Sequence, residues 1–367
     1  MGAFKDQIGA ESVDALAAAL EGLAGFDAAR FRRAAVGGLE PLELKARIAH
    51  VAGALDDALA VGFPVAAPSV AAAVAASPLT TWQAWPAQTW VEERGVDHPE
   101  VALAAIGAMT ARASGESAVR PFLHRHPRPA WRAVHEWAGA SDADRRRLAS
   151  EGTRPRLPWA RSVPALLSDP APGIAVIDRL REDPEEYVRR SVANHLNDVA
   201  RDHPGTALAT AGRWHAEGGR HVERILRHGL RGLVKKGDPS ALALLGFEHG
   251  AAVEVGEIEL EETTVAIGGE LQFAAEIRCD SAARVAIDYA ITYIGAHGRA
   301  KAPKVFKGAV RDLSAGERWR FVRRHPMREV SIRRLHPGTH RVDLQVNGVM
   351  RAGADFRLDG PGSPSGS

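Results

Sequence analysis

Ser150-Glu-Gly-Thr-Arg-Pro-Arg-Leu-Pro-Trp159 is echoed about 43 residues later by Arg189-Arg-Ser-Val-Ala-Asn-His-Leu-Asn-Asp198. Arg146-Arg147 precedes Glu151 at the spacing at which Arg189-Arg190 precedes Asn194, and Glu223-Arg-Ile-Leu-Arg-His228 forms a third, weaker copy. Repetition at roughly 34–43 residues marks an α-solenoid, in which each helical pair buries its apolar face on its neighbours. Each unit here carries a doublet of arginines, then a carboxylate or amide one turn further on. Cations alternating with acids along one helical wall suit a surface that grips a polyanion and does chemistry on it.

The chain of 367 residues is long enough for two domains, and its 45% hydrophobic and 25% charged residues are ordinary for a globular protein. No apolar run reaches the ~18 residues of a membrane span, and the first residues lack the basic segment and apolar core of a signal peptide. The single cysteine, Cys279, excludes an internal disulfide framework and a multi-cysteine metal site. A cytoplasmic monomer without metal or cofactor is the expectation. The formal net charge of +2 conceals segregation: residues 1–119 hold 8 Lys/Arg against 14 Asp/Glu, residues 120–240 hold 22 against 15, and residues 297–334 hold 12 against 3. Two basic regions in a nearly neutral protein point to a phosphate backbone as partner.

Residues 1–248 read as helical. Ala15-Leu-Ala-Ala-Ala-Leu20 and Leu42–Val51 carry strong helix formers, and Pro64, Pro68, Pro78 and Pro86 separate helices. From about residue 98 the cadence of short helices and proline-bounded turns is HEAT-like. Near Ala251 the period changes from 3.6 to 2. Glu257–Glu261, Leu271–Ile277, Val285–Ile294, Phe321-Val322, Val330-Ser-Ile332 and His340–Val346 alternate apolar with polar residues, which predicts an antiparallel immunoglobulin-like β-sandwich over 252–359. Residues 360–367 read as a flexible tail.

No dinucleotide, Walker, zincin or nucleophile-elbow signature is present. Three carboxylates stand out by their neighbours. Glu116 follows Ser114-Gly115 and precedes Arg120. Glu151 lies where a helix ends, ahead of Arg154, Arg156 and Trp159. Asp198 lies one turn after Asn194 and His195, so the three are expected to share an edge. Singly, each acid is more often a surface ion pair. At matching ends of successive repeats they can converge on one concave wall.

Ser150–Trp159, taken with Val188–Asp198, resembles the bacterial DNA alkylation repair glycosylases of the AlkC type, across roughly Trp85 to Phe247. The trailing β-domain is similar to the Ig-like extension that distinguishes AlkC from the shorter AlkD type. The resemblance implies excision of cationic N3-methyladenine and N3-methylcytosine from double-stranded DNA in the nucleoid by N-glycosidic cleavage, without base flipping. It implies a catalytic role for Asp198 and lesion-facing roles for Glu116, Glu151 and Trp159. A fixed carboxylate can stabilise an oxocarbenium-like sugar and assist water, and an indole face can attract a cation. Arg120, Arg154, Arg156, Arg189, Arg190, Asn194, His195, Asn197, Lys235 and Lys236 are then the expected DNA contacts. A basic loop over His297–Lys307, with His297, Arg299, Lys301 and Lys304, would give the β-domain its own contact.

A non-catalytic HEAT scaffold for DNA or an acidic protein would carry the same basic helices. Such a scaffold has no need of Glu151 and Asp198, which repel a polyanion.

Overall fold

The computed structural model describes residues 4–248, 253–329 and 334–361. The expected domain junction at 249–252, the Val330-Ser-Ile332 strand and most of the 360–367 tail lie outside the described residues.

A 3-10 turn at Phe4–Gln7 leads into α1 (Ala10–Leu20), α2 (Ala28–Val36), α3 (Leu44–Asp57), α4 (Phe63–Ala76), α5 (Thr81–Arg94) and α6 (Pro99–Met109). The middle helices are α7 (Arg120–Arg125), α8 (Pro127–Ala138), α9 (Ala143–Gly152), α10 (Pro164–Ser168), α11 (Ala171–Leu180) and α12 (Glu186–Asp202). There follow α13 (Pro204–Glu217), α14 (Val222–Gly229), α15 (Arg231–Lys235) and α16 (Pro239–Leu244). Their starts follow from chemistry: Asp27, Thr80, Asp142 and Asp238 cap open N–H groups, and Thr80 with Gln83 completes a capping box. Proline opens α4, α6, α7, α8, α10 and α16, where its missing N–H loses no helical bond. Two of the expected breakers break nothing. Pro68 lies inside α4 and Pro86 inside α5, because apolar burial on both sides of each proline outweighs one lost backbone bond.

Near neighbours pack in series, α3 on α5, α4 on α6, α8 on α9, α9 on α12 and α12 on α14, which is the HEAT-like repeat. Leu148, Val188, Val192, Leu196 and Val199 supply the buried face where α9 meets α12.

The nine described strands are β1 (Val253–Val255), β2 (Glu259–Leu260), β3 (Thr264–Ile267), β4 (Glu270–Cys279) and β5 (Ala283–Thr292), then β6 (Lys304–Leu313), β7 (Arg318–Pro326), β8 (Gly338–Val346) and β9 (Val349–Pro361). One sheet runs β1-β4-β2 with β7 on the other side of β4, and the second runs β3-β9-β8-β5-β6. Leu271, Phe273, Ile277 and Phe321 of the first sheet share a core with Ile287, Tyr289, Leu344, Phe356 and Leu358 of the second, so the domain is a sandwich. All pairs are antiparallel except β3 with β9. The expected basic loop ends early, since Lys304 opens β6, where Phe306 stacks on Tyr289 with ring centroids 5.3 Å apart.

Contacts divide the chain into one unit of residues 1–210 and 216–229 and a second of 211–215 and 230–367. The change from helix to strand near residue 250 therefore does not coincide with the division by contacts. The reason is steric. Gly237 of the α15–α16 turn meets Gly348 of the β8–β9 hairpin so closely that a Cβ on Gly237 would fall 2.5 Å from the Gly348 carbonyl oxygen. The hairpin itself is Asn347-Gly348 at φ 43° and 80°, the left-handed pair that a two-residue turn requires.

Candidate active site

Helix α9 ends at Gly152, and the segment after it carries Arg154, Arg156 and Trp159 across the face of α12. Thr153 closes the last turn of α9 by donating its hydroxyl to the Ala149 carbonyl at 2.7 Å. A Cβ on Gly152 would lie 2.7 Å from Val119, so glycine lets the end of α9 pack against the start of α7.

Two guanidiniums thread the three expected carboxylates together. Arg147 donates from Nη1 to Glu116 Oε2 at 2.5 Å and to Ser114 Oγ at 2.7 Å, and its Nη2 lies 3.8 Å from Glu151 Oε1. Arg154 donates from Nη1 to the same Glu151 oxygen at 2.5 Å. Its Nε and Nη2 hold Asp198 Oδ2 and Oδ1 at 2.8 and 3.2 Å. The second Glu151 oxygen accepts from Ser191 Oγ at 2.6 Å. Three acids from successive repeats thus share two arginines, leaving one formal negative charge within the network. Burial pushes the Asp198 carboxyl above its ordinary value, and the Arg154 guanidinium opposes that shift.

His195 and Arg120 frame this network from behind. His195 is fully buried, with Nδ1 3.0 Å from the Ser150 carbonyl, and burial lowers its pKa to about 4. Arg120 is 1% exposed and donates to the carbonyls of Arg161, Gly152 and Arg154, the last two at 3.1 and 2.8 Å. Burial, with the neighbouring Arg154 charge, holds it down to about 10. Trp159 is 73% exposed with φ 63°, and its carbonyl accepts from Lys45 Nζ of α3 at 2.8 Å.

A family model described as "Uncharacterised protein YhaZ, C-terminal Ig-like domain" matches residues 254–360. YhaZ of Bacillus subtilis (strain 168), itself described as uncharacterized, is 35% identical over 269 residues, 73% of this chain and 75% of the relative. The solved structure of Pseudomonas fluorescens alkylpurine DNA glycosylase AlkC, bound to DNA containing an abasic site analog, is similar with a TM-score of 0.91. That likeness covers 98% of this chain and 100% of that one, at 30% identity. The chain belongs to the AlkC family.

Within this AlkC-type chain the expected DNA contacts differ in how far their side chains are already engaged. Arg120, Arg154 and His195 are buried, with Arg120 and Arg154 bonded to protein carbonyls and carboxylates and His195 Nδ1 facing the Ser150 carbonyl. Arg189 is half-buried and donates to the Asp183 and Pro184 carbonyls. Asn194, one turn before Asp198 on α12, places its Oδ1 2.8 Å from His228 Nε2 of α14. Asn197 is half-buried. Arg156 is paired through two bonds with Asp202 at 2.6 and 2.8 Å, and Arg190 lies 3.4 Å from Glu186. Lys235 and Lys236 are exposed in the second unit, as are His297, Arg299, Lys301 and Lys304. The arginine doublets split their work: Arg147 joins the network, whereas Arg146 clamps Asp183 at 2.6 and 3.1 Å. Ser191 and Arg147 are the residues that sequence reasoning leaves out. Arg147 carries a signal, standing four residues before Glu151 on one helical face. Ser191 carries none.

No described helix is long and apolar enough to cross a membrane.

Proposed function

We propose that this chain is a monomeric, cytoplasmic DNA glycosylase that releases cationic N3-alkylated bases, 3-methyladenine and 3-methylcytosine, from duplex DNA without flipping them. The observation that carries the reading is the Glu116–Arg147–Glu151–Arg154–Asp198 network, an acid-rich cluster inside an otherwise basic stretch. A polyanion binder gains nothing from such acids. A catalyst acting on a cationic base does, because three carboxylates against two guanidiniums leave a charge that favours that base and the sugar cation formed from it. The AlkC relative is described as an alkylpurine DNA glycosylase, which supports the 3-methyladenine part of this reading.

N3-alkylation makes the base a good leaving group. The C1′–N bond breaks, and its electron pair leaves with the base and cancels the base's charge. Asp198 stabilises the oxocarbenium-like sugar, a water oxygen bonds to C1′, and a carboxylate takes the water proton. Arg154 and Ser191 position Asp198 and Glu151, and the exposed indole of Trp159 offers a π face to the lesion. His297, Arg299, Lys301 and Lys304 give the sandwich its own phosphate contacts. The test is single-turnover release of 3-methyladenine from methylated duplex. No release would leave a non-catalytic DNA or protein scaffold as the reading. Charge reversal at Lys301 and Lys304 should weaken binding to damaged and undamaged duplex alike.

A further inference from the structure

A cavity of about 230 Å³ lies beneath the segment that carries Trp159, lined by Arg120, Arg156, Arg161 and Arg201. Four arginines meet in one concavity, and no acid lines it. They are not equivalent. Arg120 is spent on backbone carbonyls, and Arg156 is neutralised by Asp202 just outside the lining. Arg161 and Arg201 are exposed, and neither makes an ion pair among the described residues. Glu92 lies in the field of Arg161 and Asp202 in that of Arg201, but neither acid closes an ion pair with them, so an anion seated between the two guanidiniums is favoured.

We propose that this cavity holds one backbone phosphate of the bound DNA duplex, gripped by Arg161 and Arg201. Arg120 would supply the positive wall behind them. The proposal rests on the reading that the chain binds DNA at the carboxylate network. It gives that reading a phosphate anchor in place of Arg120, Arg154 and Arg189, whose guanidiniums are committed elsewhere. Arginine suits the task because its planar fork matches two phosphate oxygens at once. The anchor would lie on the same short segment as Trp159, so fixing one phosphate would fix the register of the lesion against the indole and the acids.

The test is equilibrium binding of undamaged duplex to the full chain over a series of salt concentrations. One phosphate contact contributes about 0.9 to the slope of log K against log salt. Arg161→Ala/Arg201→Ala should therefore shallow the slope by about 0.9, and Arg161→Lys/Arg201→Lys should keep most of it. A second arm replaces single phosphates by uncharged methylphosphonate along the duplex. The parent should lose affinity at one position at which the alanine double variant no longer responds. An unchanged slope, or a double variant with the parent's full methylphosphonate profile, overturns the site. Because both readouts use undamaged DNA, they are separate from base release, whose absence would overturn only the glycosylase reading.

Discussion

Arg154 grips Asp198 through both carboxylate oxygens while its third nitrogen holds Glu151, so one guanidinium fixes two acids that lie 47 residues apart in the chain. A charge held this way is preorganised. It needs no reorientation as positive charge develops on the sugar. Asp198→Asn keeps the shape and removes that charge. Excision should slow by a factor on the order of 10², about 2.7 kcal/mol, with duplex affinity retained or improved because an acid has left a polyanion site. Glu151→Gln should show a milder loss of the same kind. Single-turnover kinetics beside an anisotropy titration reads both, and unchanged excision by Asp198→Asn would remove it from the mechanism.

Replacing Arg154 tests the same relationship from the other partner. Arg154→Ala strips the buried Asp198 of its guanidinium and leaves Glu151 with only Arg147 and Ser191, and removing one partner of a buried ion pair typically destabilises by about 3–5 kcal/mol. Arg154→Lys keeps the charge but cannot reach both oxygens of Asp198 and Glu151 at once. The hydrogen bond that opposes the upward shift of Asp198 is then weakened, so the acid limb of the excision profile should move to higher pH. A pH–rate profile superimposable on the parent's would show that Arg154 does not govern the ionisation of Asp198.

How far the chain can be read without coordinates depends on the range of each interaction. The Arg147–Glu151 contact is local and legible, because residues four apart share a helical face. The Arg154–Asp198 pair joins residue types that the repeat makes conspicuous, but their pairing across 44 residues depends on how α9 stacks on α12. Burial is the quantity that patterning hides: Arg120 follows an acidic loop in a basic region and reads as a phosphate ligand, yet its guanidinium is consumed by carbonyls of the next repeat. In the sandwich, Asn347-Gly348 is a strong hairpin signal that separates β8 from β9. The alternation of β4, β5 and β8 is plain, whereas β3 is too short for its alternation to stand out.

Lys45 of α3 donates to the Trp159 carbonyl across 114 residues, which ties the Ala-rich first helices to the segment bearing the indole. Trp159 has φ 63°, a region that costs a bulky residue of order 1–3 kcal/mol unless its surroundings hold it there. Lys45→Met should lower single-turnover excision by a factor on the order of five, about 1 kcal/mol, the worth of one hydrogen bond. In a Trp159→Ala background the same change should do nothing further, because the residue being positioned is gone. Fully additive effects would show that Lys45 acts elsewhere.

Burial pushes the half-buried Glu92 carboxyl of α5 up to about 7 from an ordinary 4.5, against the charges of Arg161 and Lys45 that draw it down. A value raised on folding stabilises fully below about 4.5, and that contribution is lost as pH rises through about 7. Glu92→Gln carries no charge to desolvate at any pH. Its melting temperature should exceed the parent's at pH 8, and the gap should narrow as the pH falls towards 5. A gap that is constant across this range would mean that the ionisation of Glu92 is not what separates the two proteins.

Gly173 of α11 lies against the His195 ring, where a Cβ would fall 2.7 Å from Nε2 and 2.9 Å from Cε1. The ring cannot swing aside freely, because Nδ1, facing a carbonyl, must donate to Ser150 at 3.0 Å. Gly173→Ala should therefore destabilise by about 1–3 kcal/mol, as overpacking in a tight core does. His195 has its pKa lowered to about 4 from 6.5, so its contribution is present above 6.5 and is lost as pH falls through about 4. Charging the ring keeps the Nδ1 bond to Ser150 but buries a charge whose Nε2 has no partner among the described residues, so the parent should lose stability over that window and His195→Ala should not. Combined with Gly173→Ala, His195→Ala opens the space that the new methyl needs. The double variant should then be more stable than the sum of the two single losses, and strict additivity in urea melts would show that the methyl and the ring do not compete for one space.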